Sequence, residues 1–467
     1  MDINDINEKD ILIHSPELLT RRVYGYRISD PHQNILDHID AHQSTLDLAP
    51  RGSGKTRILT IGWATWKVIN NPDLRILIVS DTDGHAVRFL KTIKTALEVS
   101  DTIKNYYGDL RGDTWTDHEI TLSGRSKIFT EATITAHGMY SGAVTSGHYD
   151  IIIADDLINF DNSRTEGQRE RAKDWFKTTL LPTLLTDGEI HVLGTRYDPQ
   201  DLYQFVIDEL GYDVQIQRAI GDDGTSICEW LLPLNDKIIN GKIHEGLTTK
   251  REKLGSIIFD LQYQNDVELM KTGKIFKYSY FQFYDELPST SAVYMGIDPA
   301  ISKKSTADYF ALCAIGIVGT DIYILDAYRA KGLSIGDQVE LIKKKWNEWQ
   351  PRIVGIENLS YQEALSQLIN SGYPEIRTEG IATSKDKVSR AYLRSGLFEN
   401  GKVHVRKDQH LFIDELVLFP DAAHDDQFDA FDFAMTVADL VGAPPPKPDL
   451  PKGPELPGFK SKGIPKF

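Results

Sequence analysis

The sequence predicts an α/β protein of two domains followed by a flexible tail, and three observations carry that expectation. From residue 44 to about 263, short β-branched runs alternate with longer helical patterns, as in a largely parallel sheet covered by helices. A different pattern begins near Ala292, where two strands joined by a hairpin are followed by a further strand and helices. After Val441 the composition changes abruptly to GAPPPKPDLPKGPELPGFKSKGIPKF, rich in Pro, Gly and Lys and without periodic hydrophobicity. A chain of 467 residues suits this division, since domains hold ~100–200 residues each.

In the first domain the expected strands cover 45–49, 75–80, 149–154 and 189–194. The expected helices cover 55–69, 85–99, 164–185 and 201–210, with a last one over 247–264. In the second, strands are expected at 292–297, 309–318, 322–328 and 352–356, the middle pair turning about Gly319. Helices follow at 361–370 and 385–399, and this order resembles the opening of a ribonuclease H-like fold. The join falls at roughly 270–290.

Composition narrows the function classes. Hydrophobic residues make up 41% and charged residues 26%, which excludes wholesale disorder. The formal net charge of -16 excludes a uniformly basic nucleic-acid coat but not a local basic groove. Two cysteines, Cys228 and Cys313, cannot build a disulfide framework or a four-thiolate zinc site, and suggest a reducing compartment. The start MDINDINEKD lacks the features of a signal peptide, and the apolar runs are too short for a bilayer, so an intracellular protein without membrane contact is expected.

The first chemical constellation is APRGSGKT, set between a strand and a helix. Gly52 and Gly54 let backbone N–H groups turn inward around phosphate oxygens, with Arg51 and Ser53 between and beside them. Lys55 supplies a cation for the β- and γ-phosphates, and Thr56 can ligate Mg²⁺. The strict pattern has Gly where this chain has Ala49. The partner is YDIIIADD, an apolar strand ending in two acids: Asp155 on the metal side and Asp156 as general base. Asp156 is one methylene shorter than the Glu more usual for that base. Gln33, ahead of the first core strand, stands where an adenine-reading glutamine would serve. HVLGTRYDPQDLY places Thr195 and Arg196 at a strand end, as γ-phosphate sensor and coupling residue.

The second constellation is a set of acids at element ends. Asp298 ends YMGID, Glu357 ends IVGIE, and HDDQFDAFDFA offers Asp425, Asp426 and Asp429. On a helix, Asp425 and Asp429 share a face. Packing several carboxylates together is unfavourable unless cations neutralise them, so the cluster implies divalent metal. Two Mg²⁺ or Mn²⁺ ions ~3.5–4 Å apart suit phosphodiester cleavage. Asp308 and His424 lie near this set, and Lys385, Lys387 and Arg390 are candidates for DNA phosphate contacts.

Taken in order, APRGSGKT, IIIADDL, GTRYDPQDLY, FDLQYQND, GIDPA, VGIENLSYQ and HDDQFDAFDFA resemble the large terminase subunits of tailed bacteriophages over roughly residues 25–440. The resemblance implies an N-terminal P-loop (RecA/ASCE-like) ATPase domain at 1–275, a ribonuclease H-like nuclease domain at 276–442 and a flexible tail at 443–467. It implies ATP with Mg²⁺ at the first site and two Mg²⁺ or Mn²⁺ at the second. It further implies translocation of double-stranded DNA through a portal into a procapsid, cutting of concatemeric DNA, a small terminase subunit as partner, and a homo-oligomeric ring at the portal in the host cytoplasm. By it, Arg51 matches an arginine kept in the phosphate loop, Lys55 and Thr56 the nucleotide-binding pair, Asp155 and Asp156 the Mg²⁺ and water-activating pair, and Asp298, Glu357, Asp425, Asp426 and Asp429 the nuclease ligands. One departure is HGMYSGAVTSGHYD, which has no arginine where relatives carry a trans-acting one, leaving Arg51 or Arg196 for that role. The alternatives are a helicase-nuclease of repair or restriction type, and a structural scaffold with vestigial motifs.

Overall fold

The computed structural model describes residues 8–289, 292–300, 309–357, 362–383, 386–422 and 424–441. Asp308, Lys385 and the tail lie outside the described residues. The described chain forms two compact units, residues 8–277 with 386–400, and residues 278–383 with 401–441.

The first unit is built on strands β1 (Ser44–Leu48), β2 (Ile76–Ser80), β3 (Arg111–Trp115), β4 (Glu119–Leu122), β5 (Ile134–Gly138), β6 (Tyr149–Asp155), β7 (Leu184–Gly194) and β8 (Asp213–Ile216). Their order across the sheet is β3-β4-β5-β2-β6-β7-β1-β8, parallel from β5 to β8 with an antiparallel edge at β3 and β4. The central strands β2 and β5 are buried at every residue, as continuous apolar runs in a helix-covered parallel sheet should be. Because β7 lies between β6 and β1, the C-terminal ends of β1, β7, β6 and β2 stand side by side at one rim. A small hairpin, β9 (Lys237–Ile239) with β10 (Lys242–His244), stands apart from this sheet.

The helices that matter for the rim are α1 (Asp30–Ala41), α2 (the wide turns Arg57–Trp63 continuing into Ala64–Asn70) and α3 (Asp83–Val99). The helix expected over 164–185 ends early. A helix over Glu166–Trp175 passes through looser turns into a tight turn at Leu181–Thr183, and β7 starts at Leu184. Pro182 explains the break, since it has no N–H for the helical ladder. The helix expected over 247–264 is bent within α4 (Leu247–Phe259), where Gly255 has φ 76°. A Cβ there would stand 2.7 Å from the Gly396 Cα, so two glycines make a close crossing of helices possible. Gly396 belongs to a helix over Lys387–Glu399, which packs with this unit although the sequence boundary places it in the second domain. Glu399 accepts the Ser256 N–H at 2.8 Å, and Arg164 pairs with Asp386 at 3.2 Å.

The second unit carries β11 (Gln282–Phe283), β12 (Ala292–Asp298), β13 (Phe310–Val318), β14 (Asp321–Ala330), β15 (Val354–Glu357), β16 (Thr378–Ile381) and β17 (Val403–Val405). The order is β11-β17-β14-β13-β12-β15-β16, with β12, β13 and β14 antiparallel and β15 parallel to β12. The expected hairpin and following parallel strand are both present. Continuing the numbering, α5 (Ile335–Trp349), α6 (Lys387–Glu399), α7 (His410–Leu418) and α8 (Asp426–Val441) complete the helices used below. α8 lies directly on β12 and β15, which is possible because Gly296 and Gly355 offer no side chain. A Cβ at Gly296 would stand 2.0 Å from the Ala430 carbonyl oxygen and 2.3 Å from the Ala434 nitrogen. Gly296→Ala is therefore expected to destabilise this unit by at least about 1–3 kcal/mol, read as a lower urea midpoint for its unfolding. An unchanged midpoint would mean that α8 is not seated there.

Cys228 and Cys313 are both buried and free. Among the described residues, no helix is long and apolar enough to cross a membrane.

Candidate active sites

The loop between β1 and α2 folds as APRGSGKT predicts. Gly52 and Gly54 both take positive φ, 79° and 87°, which side-chain-bearing residues adopt at a cost. Arg51 fixes one flank, its N–H donating to the Gln262 carbonyl at 2.8 Å and its guanidinium to Gln262 Oε1 at 3.1 Å. The other flank is fixed by His32, which the sequence reading passed over in favour of Gln33. His32 Nδ1 accepts the Ser29 N–H at 3.1 Å, so Nε2 carries the proton donated to the Ser53 carbonyl at 2.6 Å. Burial holds the His32 pKa below its ordinary value, in keeping with this neutral tautomer. A Cβ on Gly54 would stand 3.1 Å from Nε2, a second reason for glycine there. Gln33 instead bonds Asp37 one turn along α1, at 2.8 Å.

Lys55 is buried and its ammonium bridges the rim. It donates to Thr195 Oγ1 at 2.8 Å and pairs with Asp156 Oδ1 at 3.1 Å. Thr195 Oγ1 donates in turn to the Ala49 carbonyl at 3.1 Å, tying the end of β7 to the loop. Asp155 is fully buried at the end of β6 and accepts Thr56 Oγ1 at 3.1 Å and Thr60 Oγ1 at 2.6 Å. Burial, then the neighbouring Asp156 charge, pushes the Asp155 pKa up to about 7. Asp156 itself sits at φ 47°, a strained backbone held by its N–H donating to the Leu193 carbonyl at 3.0 Å. Arg51, Thr56, Asp156 and Thr195 border an open cleft of about 710 Å³, which Asp81 and His85 also line. Burial alone would raise the Asp81 pKa. Hydrogen bonds from Asn159 and His85 outweigh it and hold the carboxyl below its ordinary range.

Arg196 does not reach this cleft as a free cation. It is buried, donating to Asp201 Oδ2 at 3.1 Å, Gln204 Oε1 at 3.0 Å and two carbonyls of the following turn. Asp201 also caps the next helix through the Gln204 N–H. The pair is thus a clamp on the loop after β7, which removes Arg196 as a candidate for insertion into a neighbouring subunit. Arg196→Ala leaves Asp201 buried and unpaired, and is expected to cost about 3–5 kcal/mol in a denaturant titration. A loss below about 1 kcal/mol would sink the clamp.

In the second unit, Asp298 is the last residue of β12 and Glu357 the last of the adjacent parallel β15, so both acids emerge at one end of the sheet. Glu357 accepts Thr383 Oγ1 at 2.9 Å. Asp298 pairs across the sheet with Ala311, which pairs with Arg329. Arg329 donates to Glu415 Oε2 at 2.8 Å, and the other Glu415 oxygen accepts the Gln427 and Phe428 N–H groups at 2.7 and 3.1 Å. Those two amides lie in the first turn of α8, so this chain of bonds pins that turn at the end of the sheet carrying Asp298 and Glu357. Asp426 and Asp429 are buried on that turn. Asp425 stands just before α8 rather than within it, so the helical face expected for Asp425 and Asp429 belongs instead to Asp426 and Asp429. His424 stacks edge-on against Tyr309, ring centres 4.6 Å apart. The oxygen-only set suits a hard divalent cation.

Residues 295–437 match the family described as the terminase RNaseH-like domain. This segment, which covers most of the second unit, is thus similar to that family. Over 179 residues, 36% of this chain, the sequence is 31% identical to the terminase large subunit of Enterobacteria phage T3. That match spans 28% of the T3 protein, well under two thirds of its length. The fold matches the large terminase of a thermophilic bacteriophage with a TM-score of 0.53, over 89% of this chain and 100% of that one, at 11% identity. The same thermophilic-phage protein in complex with ADP matches at 0.51 and 12% identity, with the same coverage. The likeness in fold therefore runs through both units of the chain.

Within this unit, Glu415 and Arg329 are positioning residues that sequence reasoning missed. Burial, opposed by its bonds to Gln427, raises the Glu415 pKa. Glu415 stands in DELVLFP among apolar neighbours, and only the fold reveals that it caps the acidic helix. Asp432, one turn beyond Asp429 and also buried, adds a further acid to the same helix.

Proposed function

We propose that this chain is the large subunit of a DNA-packaging terminase, in which ATP hydrolysis moves double-stranded DNA and a metal-dependent endonuclease cuts it. The observation that carries the reading is one chain holding a phosphate-loop rim, with Lys55 aimed at it, and a terminase-type sheet end bearing Asp298 and Glu357. At the first site, the backbone of Arg51, Gly52, Ser53 and Gly54 wraps phosphate oxygens, and Lys55 neutralises them. Thr56 and Asp155 would hold Mg²⁺, whose charge would offset the burial that disfavours the Asp155 anion. Lys55 pairs with Asp156. Phosphate binding draws Lys55 away and frees the Asp156 carboxylate to orient water and take its proton. Thr195, bonded to both Lys55 and the loop, reports that change to β7. The ADP complex of the thermophilic-phage relative supports an adenine nucleotide at this rim.

At the second site, Asp298, Glu357, Asp425, Asp426 and Asp429 would hold two Mg²⁺ or Mn²⁺ ions. Such ions neutralise the acids and stabilise charge on the scissile phosphodiester. The residues' own contribution is to fix the ions and the DNA strand at one sheet end. In this reading the DNA passes through a portal into a procapsid, a small terminase subunit and a homo-oligomeric ring are partners, and the work is done in the host cytoplasm. The helicase-nuclease reading is weaker, because the second unit has a mixed sheet of ribonuclease H-like order instead of a second parallel motor sheet. The test is ATP hydrolysis with and without duplex DNA, beside plasmid cleavage in Mg²⁺ or Mn²⁺. DNA-stimulated hydrolysis with metal-dependent cutting supports the reading, and absence of both overturns it.

A further inference from the structure

Away from the phosphate-binding loop and from the acidic sheet end, three side chains converge at the β5 end of the first sheet. Asp83 opens α3, His118 lies in the turn between β3 and β4, and His137 is near the end of β5. Each offers one ligand atom, and these atoms all lie within 4.8 Å of one another. His118 Nε2 is 3.5 Å from Asp83 Oδ2, and His137 Nδ1 is 3.8 Å from Asp83 Oδ1. A tetrahedral ion with ligands at ~2.0–2.2 Å spaces their atoms ~3.4 Å apart, so small rotations close the set.

The surroundings prepare these groups for an ion. His118 Nδ1 is 3.0 Å from the Ala136 carbonyl, which can only accept, so Nδ1 carries the proton and Nε2 presents its lone pair toward Asp83. The His118 carbonyl accepts the Ala136 N–H at 2.8 Å, which locks the backbone beneath the ring. The two imidazoles stack with centres 5.0 Å apart and planes 19° from parallel. Asp83 Oδ1 accepts the Gly138 N–H at 3.2 Å, fixing the carboxylate. A cleft of about 420 Å³, lined also by Met139, Tyr140 and Ser141, leaves a fourth position open to water or a ligand.

We propose that Asp83, His118 and His137 bind one divalent transition-metal ion of the zinc class. Two imidazoles and one carboxylate favour such an ion over Mg²⁺, which prefers oxygen donors and keeps its waters. The ion ties the start of α3 to the antiparallel edge of the sheet, three segments far apart in sequence. This site is independent of the ATPase and nuclease assignments, and its test does not use either activity.

The experiment is Zn²⁺ binding by the full chain after chelator treatment, measured by equilibrium dialysis with Mg²⁺ in excess to occupy oxygen-only sites. One Zn²⁺ per chain is expected for the wild type, and none for His118→Ala or for His137→Gln. Co²⁺ in place of Zn²⁺ should give visible absorption of a nitrogen-ligated tetrahedral ion in the wild type only. His118 is part-exposed, so its truncation should leave the fold intact, which circular dichroism checks. Absence of stoichiometric Zn²⁺ on the wild type, or equal binding by a folded His118→Ala chain, overturns the proposal and leaves the cluster a hydrogen-bonded network.

Discussion

Lys55→Ala is expected to lower ATP turnover by at least about 10²–10³-fold, the usual cost of removing one preorganised charge from a phosphate site. The reason is geometric as much as electrostatic. The Lys55 ammonium is buried and stands at once on Thr195 and Asp156, so its removal deletes the cation proposed for the phosphates and the link to the strand end. Asp156 then faces Asp155 with less neutralisation; Asp156 is 43% exposed and screened by water, whereas the fully buried Asp155 carboxyl loses a cation that favoured its charged form. Steady-state phosphate release, with a thermal melt as control, checks this. Plasmid cleavage by the same variant should stay near wild type, because the carboxylates Asp298 and Glu357 belong to the other unit. Retained ATP turnover would remove Lys55, and with it the phosphate-loop assignment.

Asp298→Asn is expected to reverse that pattern, with metal-dependent cutting lost and ATP turnover kept. The amide has nearly the size of the carboxylate, so β12 and its pairing with β13 and β15 should persist. What disappears is one negative charge from the set proposed to hold cations. If several kcal/mol of transition-state charge stabilisation go with it, cutting falls by ~10³-fold. Supercoiled plasmid with increasing Mn²⁺ measures this, and high metal should recover part of the loss if affinity is what failed. Undiminished cutting at low metal would place the nuclease elsewhere in the chain.

The two variants also separate alternatives that share motifs. A helicase-nuclease would couple cutting to ATP on linear DNA ends, whereas a packaging nuclease should nick or linearise closed plasmid in the Lys55→Ala background.

Much of this site chemistry was legible because it is local. A glycine-rich loop ahead of a helix needs positive φ at Gly52 and Gly54, and a buried β strand ending in DD places Asp155 and Asp156 by register alone. The same holds for Asp298 and Glu357, which end strands whose apolar runs mark them in the sequence. Some local signals were available but passed over. SIGDQ carries a capping box, Ser334 with Asp337, that announces α5. The short edge strands β3 and β4 gave no comparable signal, being polar, interrupted and paired only with each other and β5.

The sequence by itself determined the α/β class, the glycine-rich loop ahead of α2, the acid-ended strand β6 and the strand-end acids of the second unit, because each depends on spacing within a few residues. Tertiary structure decided which neighbours those groups meet. It turned His32 rather than Gln33 onto the loop, buried Arg196 against Asp201, joined Arg329 through Glu415 to the first turn of α8, and packed α6 with the first unit. Each of these joins residues brought together by sheet order and helix packing. Such contacts follow from which apolar faces cover which strands, and no periodicity in the chain specifies that.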